Sequence, residues 1–166
     1  MRCLRDIKTL MVAGLALYPL LVAFGNITDY GSNYVFVQHV LSMDTTFPGN
    51  KLMYRAITSP ALQHLGYALI IAGEAATGLV LAYGAIALFR ARGGTPAEFA
   101  AAKRWVALGG FLGFLVWFVG FLVVGGEWFA MWQSPTWNGQ EAAFRNFTVV
   151  GIILILLALP DTDEQP

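Results

Sequence analysis

The chain has 166 residues, of which 57% are hydrophobic and only 12% are charged. Soluble domains carry about 25% charged residues, and a soluble fold this apolar could not cover its own surface with polar groups. Ten basic and ten acidic residues cancel, which gives no basic surface for nucleic acid, and the single cysteine, Cys3, excludes an internal disulfide. We therefore expect the chain to have the lipid bilayer as its partner, and no nucleic acid.

Four apolar runs are long enough to cross a bilayer as helices, since a span needs about 20 residues. The first run covers 7–25, and the second covers 64–89 with one interrupting glutamate. The third covers 105–126 without a charge, and the shorter fourth covers 143–159. The sequence thus predicts an all-α fold: a four-transmembrane-helix bundle forming a single integral membrane domain over 1–166.

Basic residues are unevenly distributed between the two ends of these runs. One group lies at or before the start of the first span, or between the second and third spans: Arg2, Arg5, Lys8, Arg90, Arg92, Lys103 and Arg104. The opposite ends and the connections there hold Lys51, Arg55 and Arg145. Because positive charges concentrate on the cytoplasmic side, we expect a multi-pass protein with both termini cytoplasmic. A signal peptide is the alternative interpretation of the N-terminus, although its apolar run is long for a signal core.

The first outer loop, 26–61, is too long to be structureless. Phe36, Val40 and Met43 recur at helical spacing, which predicts one or two short helices lying on the outer membrane face. A strand over 34–37 is the alternative. The fold class is therefore all-α with a long, partly helical first outer loop.

Helix signals also precede the third apolar run. Thr95 is a good N-cap, Pro96 suits the first helical position, and Glu98 completes a capping box, so this helix is expected to begin at Pro96. Further along, Gly109 and Gly113 have the four-residue spacing that lets helix backbones approach closely in membranes. We expect this face to pack against small residues of the second span.

Glu74 stands out within the predicted spans. An ionised, unpaired carboxylate in hydrocarbon costs several kcal/mol, so Glu74 must be neutral, hydrogen-bonded or beside water. Counting about 1.5 Å per residue from the predicted span ends places Tyr18 and Trp117 level with it, about 12 Å below the outer boundary. We therefore expect an intramembrane polar cluster of Glu74, Tyr18 and Trp117, which either locks the helices in register or binds a proton or cation.

A second polar layer is predicted at the outer surface. Its members are His39, Asp44, His64, Glu127 and Arg145. Histidines and carboxylates can bind metals, but the irregular spacing favours loop packing and interfacial hydrogen bonds, so no metal site is assigned. For Arg145, an ion pair with Glu127 competes with one to Glu141, four residues earlier on the same helix.

The loop segments resemble a known family. They read Asn-Ile-Thr-Asp-Tyr-Gly-Ser-Asn at 26–33, Phe-Val-Gln-His-Val-Leu-Ser-Met-Asp-Thr-Thr-Phe at 36–47, Glu-Trp-Phe-Ala-Met-Trp-Gln-Ser at 127–134 and Trp-Asn-Gly-Gln at 137–140. The family is the bacterial "predicted small integral membrane protein" family, a domain of unknown function. The resemblance covers nearly the whole chain and implies a four-helix protein of a bacterial inner (plasma) membrane. It implies no activity, substrate or catalytic residue.

Two functional hypotheses follow. The sequence has no phosphate-binding loop or nucleophile elbow and no intramembrane histidine pair for haem, so neither an enzyme nor a cofactor is expected. The favoured hypothesis is a non-enzymatic accessory or interaction subunit of a larger membrane complex. The alternative is a small oligomeric transporter or channel component with Glu74 as its proton or cation site. A dry, packed interface around Glu74 would favour the first, and a cavity would favour the second.

Overall fold

The computed structural model describes residues 2–161, which are helical over most of their length and form no strand. The α-helices are α1 (Arg2–Thr28), α2 (Tyr30–Ser42), α3 (Pro60–Ala91), α4 (Pro96–Phe114) and α5 (Gln140–Ala158). Helix α4 continues directly into a π-helix over Leu115–Trp128, and short 3-10 turns lie at Met53–Arg55 and Met131–Gln133.

Four helical segments are long and apolar enough to cross a membrane. They are Cys3–Thr28, Pro60–Ala91, Pro96–Trp128 and Gln140–Ala158. The predicted fold class is therefore confirmed, and each predicted span overlaps one of these helices. Helix α2 and the nearby 3-10 turn confirm the partly helical loop. The strand alternative over 34–37 is wrong, because those residues lie within α2.

The capping box at the start of α4 is also confirmed. The Glu98 backbone N–H donates to the Thr95 hydroxyl oxygen at 3.2 Å, and the Thr95 backbone N–H donates to Glu98 Oε2 at 2.7 Å. Pro96 occupies the first helical turn, where its missing N–H has no intrahelical partner to lose. The third span accordingly begins well before its apolar run.

Helix α3 packs between α1 and α4, and α5 packs against α4 and the π-helix. The core between these helices is mostly apolar, with Val12, Leu81, Leu88 and Val106 fully buried. Large apolar side chains also cover the outward faces; Leu10, for example, is 71% exposed. In a bilayer, such outward side chains contact lipid tails and need no polar cover.

Glycine lets α3 and α4 approach closely. A Cβ added at Gly109 would lie 2.7 Å from the Leu81 Cγ atom and 3.0 Å from the Leu81 backbone nitrogen. One added at Gly113 would lie 3.3 Å from Thr77 Cγ2. The glycine face therefore contacts the second span as expected, at the small residue Thr77 for Gly113, whereas the residue against Gly109 is the larger Leu81.

Gly109→Ala is expected to destabilise the bundle by about 1–3 kcal/mol, because the added methyl group overpacks the contact with Leu81. The measurement is the thermal unfolding midpoint in mild detergent. Gly151→Ala in α5 is the matched control, since a Cβ there meets nothing within 4 Å. The control should be neutral or slightly stabilising, because alanine favours helix more than glycine does. Equal midpoints for the two variants would contradict the close packing.

The two ends of the bundle differ in chemistry. The cap end carries α2 and the connections over 43–59 and 129–139. The basic end carries the start of α1, the α3–α4 turn and the end of α5. There, Lys8 Nζ lies 2.7 Å from Asp161 Oδ1, Lys103 pairs with the other carboxylate oxygen, and Arg5 Nη1 donates to the Gly94 carbonyl oxygen at 2.7 Å. These contacts tie three of the four spans together.

Candidate functional site

A cavity of about 280 Å³ lies in the half of the bundle nearest the cap end. Helices α1, α2, α3 and α5 and the π-helix all contribute to its wall. The polar wall residues are Asn26, Asn33, Tyr67, Glu74 and Asn146, and the aromatic ones besides Tyr67 are Phe36, Trp117 and Phe121. The cavity thus combines one carboxylate, several amides and aromatic faces.

Glu74 is held at this cavity by Asn26. The Glu74 residue is only 3% exposed, and Asn26 Nδ2 donates a hydrogen bond of 2.7 Å to its Oε2 atom. The Tyr67 hydroxyl in turn donates to the Asn26 backbone carbonyl oxygen at 3.2 Å, which fixes the end of α1 against α3. The ion pairs among the described side chains do not include Glu74. A carboxylate so placed can be neutralised by a proton or by a cation in the cavity.

Of the two residues expected to cluster with Glu74, one lines the cavity with it and the other does not. Trp117 is buried and lines the same cavity, whereas Tyr18 is 46% exposed and lies outside it, with its ring centroid 6.0 Å from that of Trp117. The hydrogen-bond donor to Glu74 in the described structure is Asn26. The depth estimate placed Asn26 at the end of the first span, but α1 continues to Thr28 and α3 begins earlier, at Pro60. The estimate set the outer ends of the first two spans at one level, whereas Asn26 in the last turn of α1 lies beside Glu74 in the middle of α3.

The π-helix supplies two of the aromatic wall residues. Its backbone bonds run from each N–H to the carbonyl five residues earlier, as Phe129 N to Val124 O at 3.0 Å shows at its end. Such helices are rare and concentrate at functional sites. Trp117 and Phe121 lie in this stretch and face the cavity. The sequence pattern predicted an ordinary α-helix here and gave no indication of the π-helix.

Asn26→Ala is expected to destabilise the protein by about 1–3 kcal/mol, because it removes the donor to a buried carboxylate. Asn33→Ala is the matched control, since Asn33 lines the same cavity but is exposed. Its effect should stay within about 0.5 kcal/mol. Denaturant unfolding of both variants in the same detergent provides the comparison. Equal effects would show that the amide of Asn26 does not support Glu74.

The two histidines of the predicted outer layer contact different residues. His39 Nδ1 lies 2.9 Å from Asp44 Oδ2, and the His39 ring stacks on Trp137 with centroids 4.7 Å apart. His64 Nδ1 lies 2.8 Å from the Tyr30 hydroxyl. Hydrogen bonds and ring stacking thus hold each histidine within its own part of the structure.

Arg145 pairs with Glu141 rather than with Glu127. The Arg145 Nη1 to Glu141 Oε1 distance is 3.8 Å, and both side chains are largely exposed, which makes this a weak surface pair. Glu127 is exposed near the end of the π-helix. Over residues 2–161, no group of three or more His, Cys, Asp or Glu side chains is arranged to hold a metal ion.

The apolar helices and the polar cavity together define a class: a four-span α-helical membrane protein with an ionisable group buried in one half of the bundle. The chain belongs to the family described as predicted small integral membrane protein (DUF2165), whose model matches residues 4–160. It is therefore an integral membrane protein that lies in a lipid bilayer. No curated protein and no solved structure matches the chain significantly. The family description names no ligand or activity.

Proposed function

We propose that the protein binds a monovalent cation, a proton included, at Glu74, as a component of a small oligomeric transporter or channel. The observation that supports this most strongly is the cavity of about 280 Å³ against the Glu74 carboxylate. Glu74 is itself largely enclosed, at 3% exposed, but it lines this cavity, whereas a carboxylate that served only to lock helices would need no open space beside it. Here the Asn26 amide holds one carboxylate oxygen, and the cavity that Glu74 lines supplies the space that a bound cation needs.

Flux through reconstituted protein tests this proposal. The purified full-length chain is placed in liposomes, and influx of protons, sodium and ethylammonium is followed under an imposed potential. We expect influx of at least one of these cations well above that of protein-free liposomes. Influx equal to the protein-free background for all three would contradict the proposal.

We further propose that the protein lies in a bacterial inner membrane with both termini in the cytoplasm. The basic end supports this, since Arg5, Lys8, Arg92 and Lys103 cluster there and positive charge favours the cytoplasmic side.

The exposed Cys3, the single cysteine of the chain, reports on this orientation. In spheroplasts, a membrane-impermeant maleimide should label Cys3 only after the membrane is permeabilised. Labelling of intact spheroplasts would place the N-terminus outside.

A second candidate function is that of an accessory or interaction subunit. Its support is the aromatic surface of the cap end, where Phe47, Tyr54, Trp128 and Trp132 are each about half exposed or more. Purification at native expression level into nanodiscs, followed by mass spectrometry, tests this function. A stoichiometric partner would support it, and recovery of the chain alone would contradict it.

A further inference from the structure

The polar cavity adjoins an apolar groove on the lipid-facing side of the bundle. The groove has a volume of about 410 Å³ and lies between α1 and α5. Trp117 and Asn146 line both the groove and the cavity. The two spaces therefore share a wall, and a ligand that passed Trp117 would occupy both.

The lining of the groove suits an alkyl chain. Its sides are Met11, Leu15, Val149 and Ile153, and Gly14 keeps it open, since a Cβ added there would meet nothing within 4 Å. The lining also includes the polar atoms of Tyr18, Trp117, Arg145 and Asn146, but the remaining walls are apolar and recognise a hydrocarbon by burial alone. Because its walls belong to two membrane-spanning helices, such a chain would enter sideways from the bilayer.

The cavity end has the opposite chemistry. Glu74 supplies a carboxylate, and the neighbouring rings of Phe36, Trp117 and Phe121 offer π faces. A carboxylate beside aromatic faces favours an ammonium group, by charge and by cation–π attraction. An anionic head would instead be repelled by Glu74.

We propose that the ligand is a single-chain amphiphile with an ammonium head, which lies with its head at Glu74 and its tail in the groove between α1 and α5. This rests on the proposed cation binding at Glu74 and names the chemical class of the cation. Trp117 lies between the head site and the tail site, and the lack of a side chain at Gly14 leaves space for the tail.

Photolabelling of the full-length protein in nanodiscs tests this arrangement. The probe is dodecylamine carrying a diazirine on its chain, and labelled positions are mapped by mass spectrometry. We expect labels on groove-lining positions of α1 and α5 that are competed away by dodecylamine, and far less by dodecanol or dodecanoate.

Gly14→Leu should reduce this labelling about tenfold, because the leucine side chain replaces roughly two buried methylene groups of the tail. Gly151→Leu is the matched control, a helical glycine with equally open surroundings outside the groove, and it should label like the wild type. Thermal unfolding of both variants confirms that each is folded. Undiminished labelling of folded Gly14→Leu would overturn the proposal, as would equal competition by dodecanoate, which would place an anionic head near Arg145 instead.

Binding of ethylammonium to the wild type separates this proposal from the one on which it rests. Ethylammonium has the head group without the tail. If it binds while groove labelling fails, the amphiphile is overturned and cation binding at Glu74 stands. If ethylammonium does not bind and labelling is independent of the head group, cation binding at Glu74 is itself overturned.

Discussion

Replacing Glu74 by glutamine is expected to abolish cation uptake while leaving the bundle folded. Glutamine has the shape of glutamate, and its carbonyl oxygen can accept the Asn26 hydrogen bond that now measures 2.7 Å. It carries no charge to hold a cation. Interactions with a charged group contribute about 1.5–3 kcal/mol, which corresponds to a roughly 10- to 100-fold loss of affinity. Liposome flux and direct cation binding measure the loss.

Glu127→Gln provides the control for Glu74→Gln. Glu127 is an exposed carboxylate that does not line the cavity, so its replacement should leave uptake at the wild-type level. Wild-type uptake by folded Glu74→Gln would show that Glu74 serves only to hold α1 and α3 together. A lowered unfolding midpoint with unchanged uptake would point to the same structural role.

Asp161→Asn should destabilise the protein more than Gly109→Ala or Asn26→Ala. Lys8 is 1% exposed and lies 2.7 Å from Asp161, whose side chain is 4% exposed, and Lys103 contacts the other carboxylate oxygen. Removing one partner of a buried pair leaves an uncompensated charge and costs about 3–5 kcal/mol. Denaturant unfolding in mild detergent measures the cost. Glu141→Gln is the control, because it breaks an exposed 3.8 Å pair that is worth at most about 1 kcal/mol.

The Asp161 carboxylate also makes the stability of the folded protein depend on pH. Burial opposes ionisation of Asp161, but hydrogen bonds and charges from Lys103 and Lys8 outweigh it and hold its pKa below the ordinary value of 3.8. Because the pKa is lower in the folded state, this contribution is fully present at neutral pH and is lost as pH falls through the folded pKa. Asp161→Asn should therefore lose less stability on acidification than the wild type. Parallel acid profiles for the two proteins would contradict the ion pair.

Run length and composition were enough to predict the fold. The four apolar runs each overlap a membrane-length helix, and the capping motif of Thr95, Pro96 and Glu98 correctly predicted the start of α4. Those signals are local, and each depends on residues within a few positions of one another. The glycine spacing at Gly109 and Gly113 is local too, and it correctly indicated which face of α4 meets α3.

The partners of the polar groups could not be predicted in the same way. Asn26 and Glu74 are 48 positions apart in the chain, and Lys8 and Asp161 are 153 apart. Their pairing depends on where each helix ends and how the helices are staggered. The depth estimate set the outer ends of the first two spans level, whereas Asn26 in the last turn of α1 lies beside Glu74 in the middle of α3, so the estimate selected Tyr18 in place of Asn26. The π-helix around Trp117 has no sequence pattern of its own.

The most direct test of the central claim is infrared difference spectroscopy of the protein in lipid, recorded with and without the transported cation. Cation binding at Glu74 should change the carboxyl bands of the wild type and of Glu127→Gln, and that change should be missing from folded Glu74→Gln. The same band change in Glu74→Gln would mean that the cation binds elsewhere, and would contradict Glu74 as the cation site.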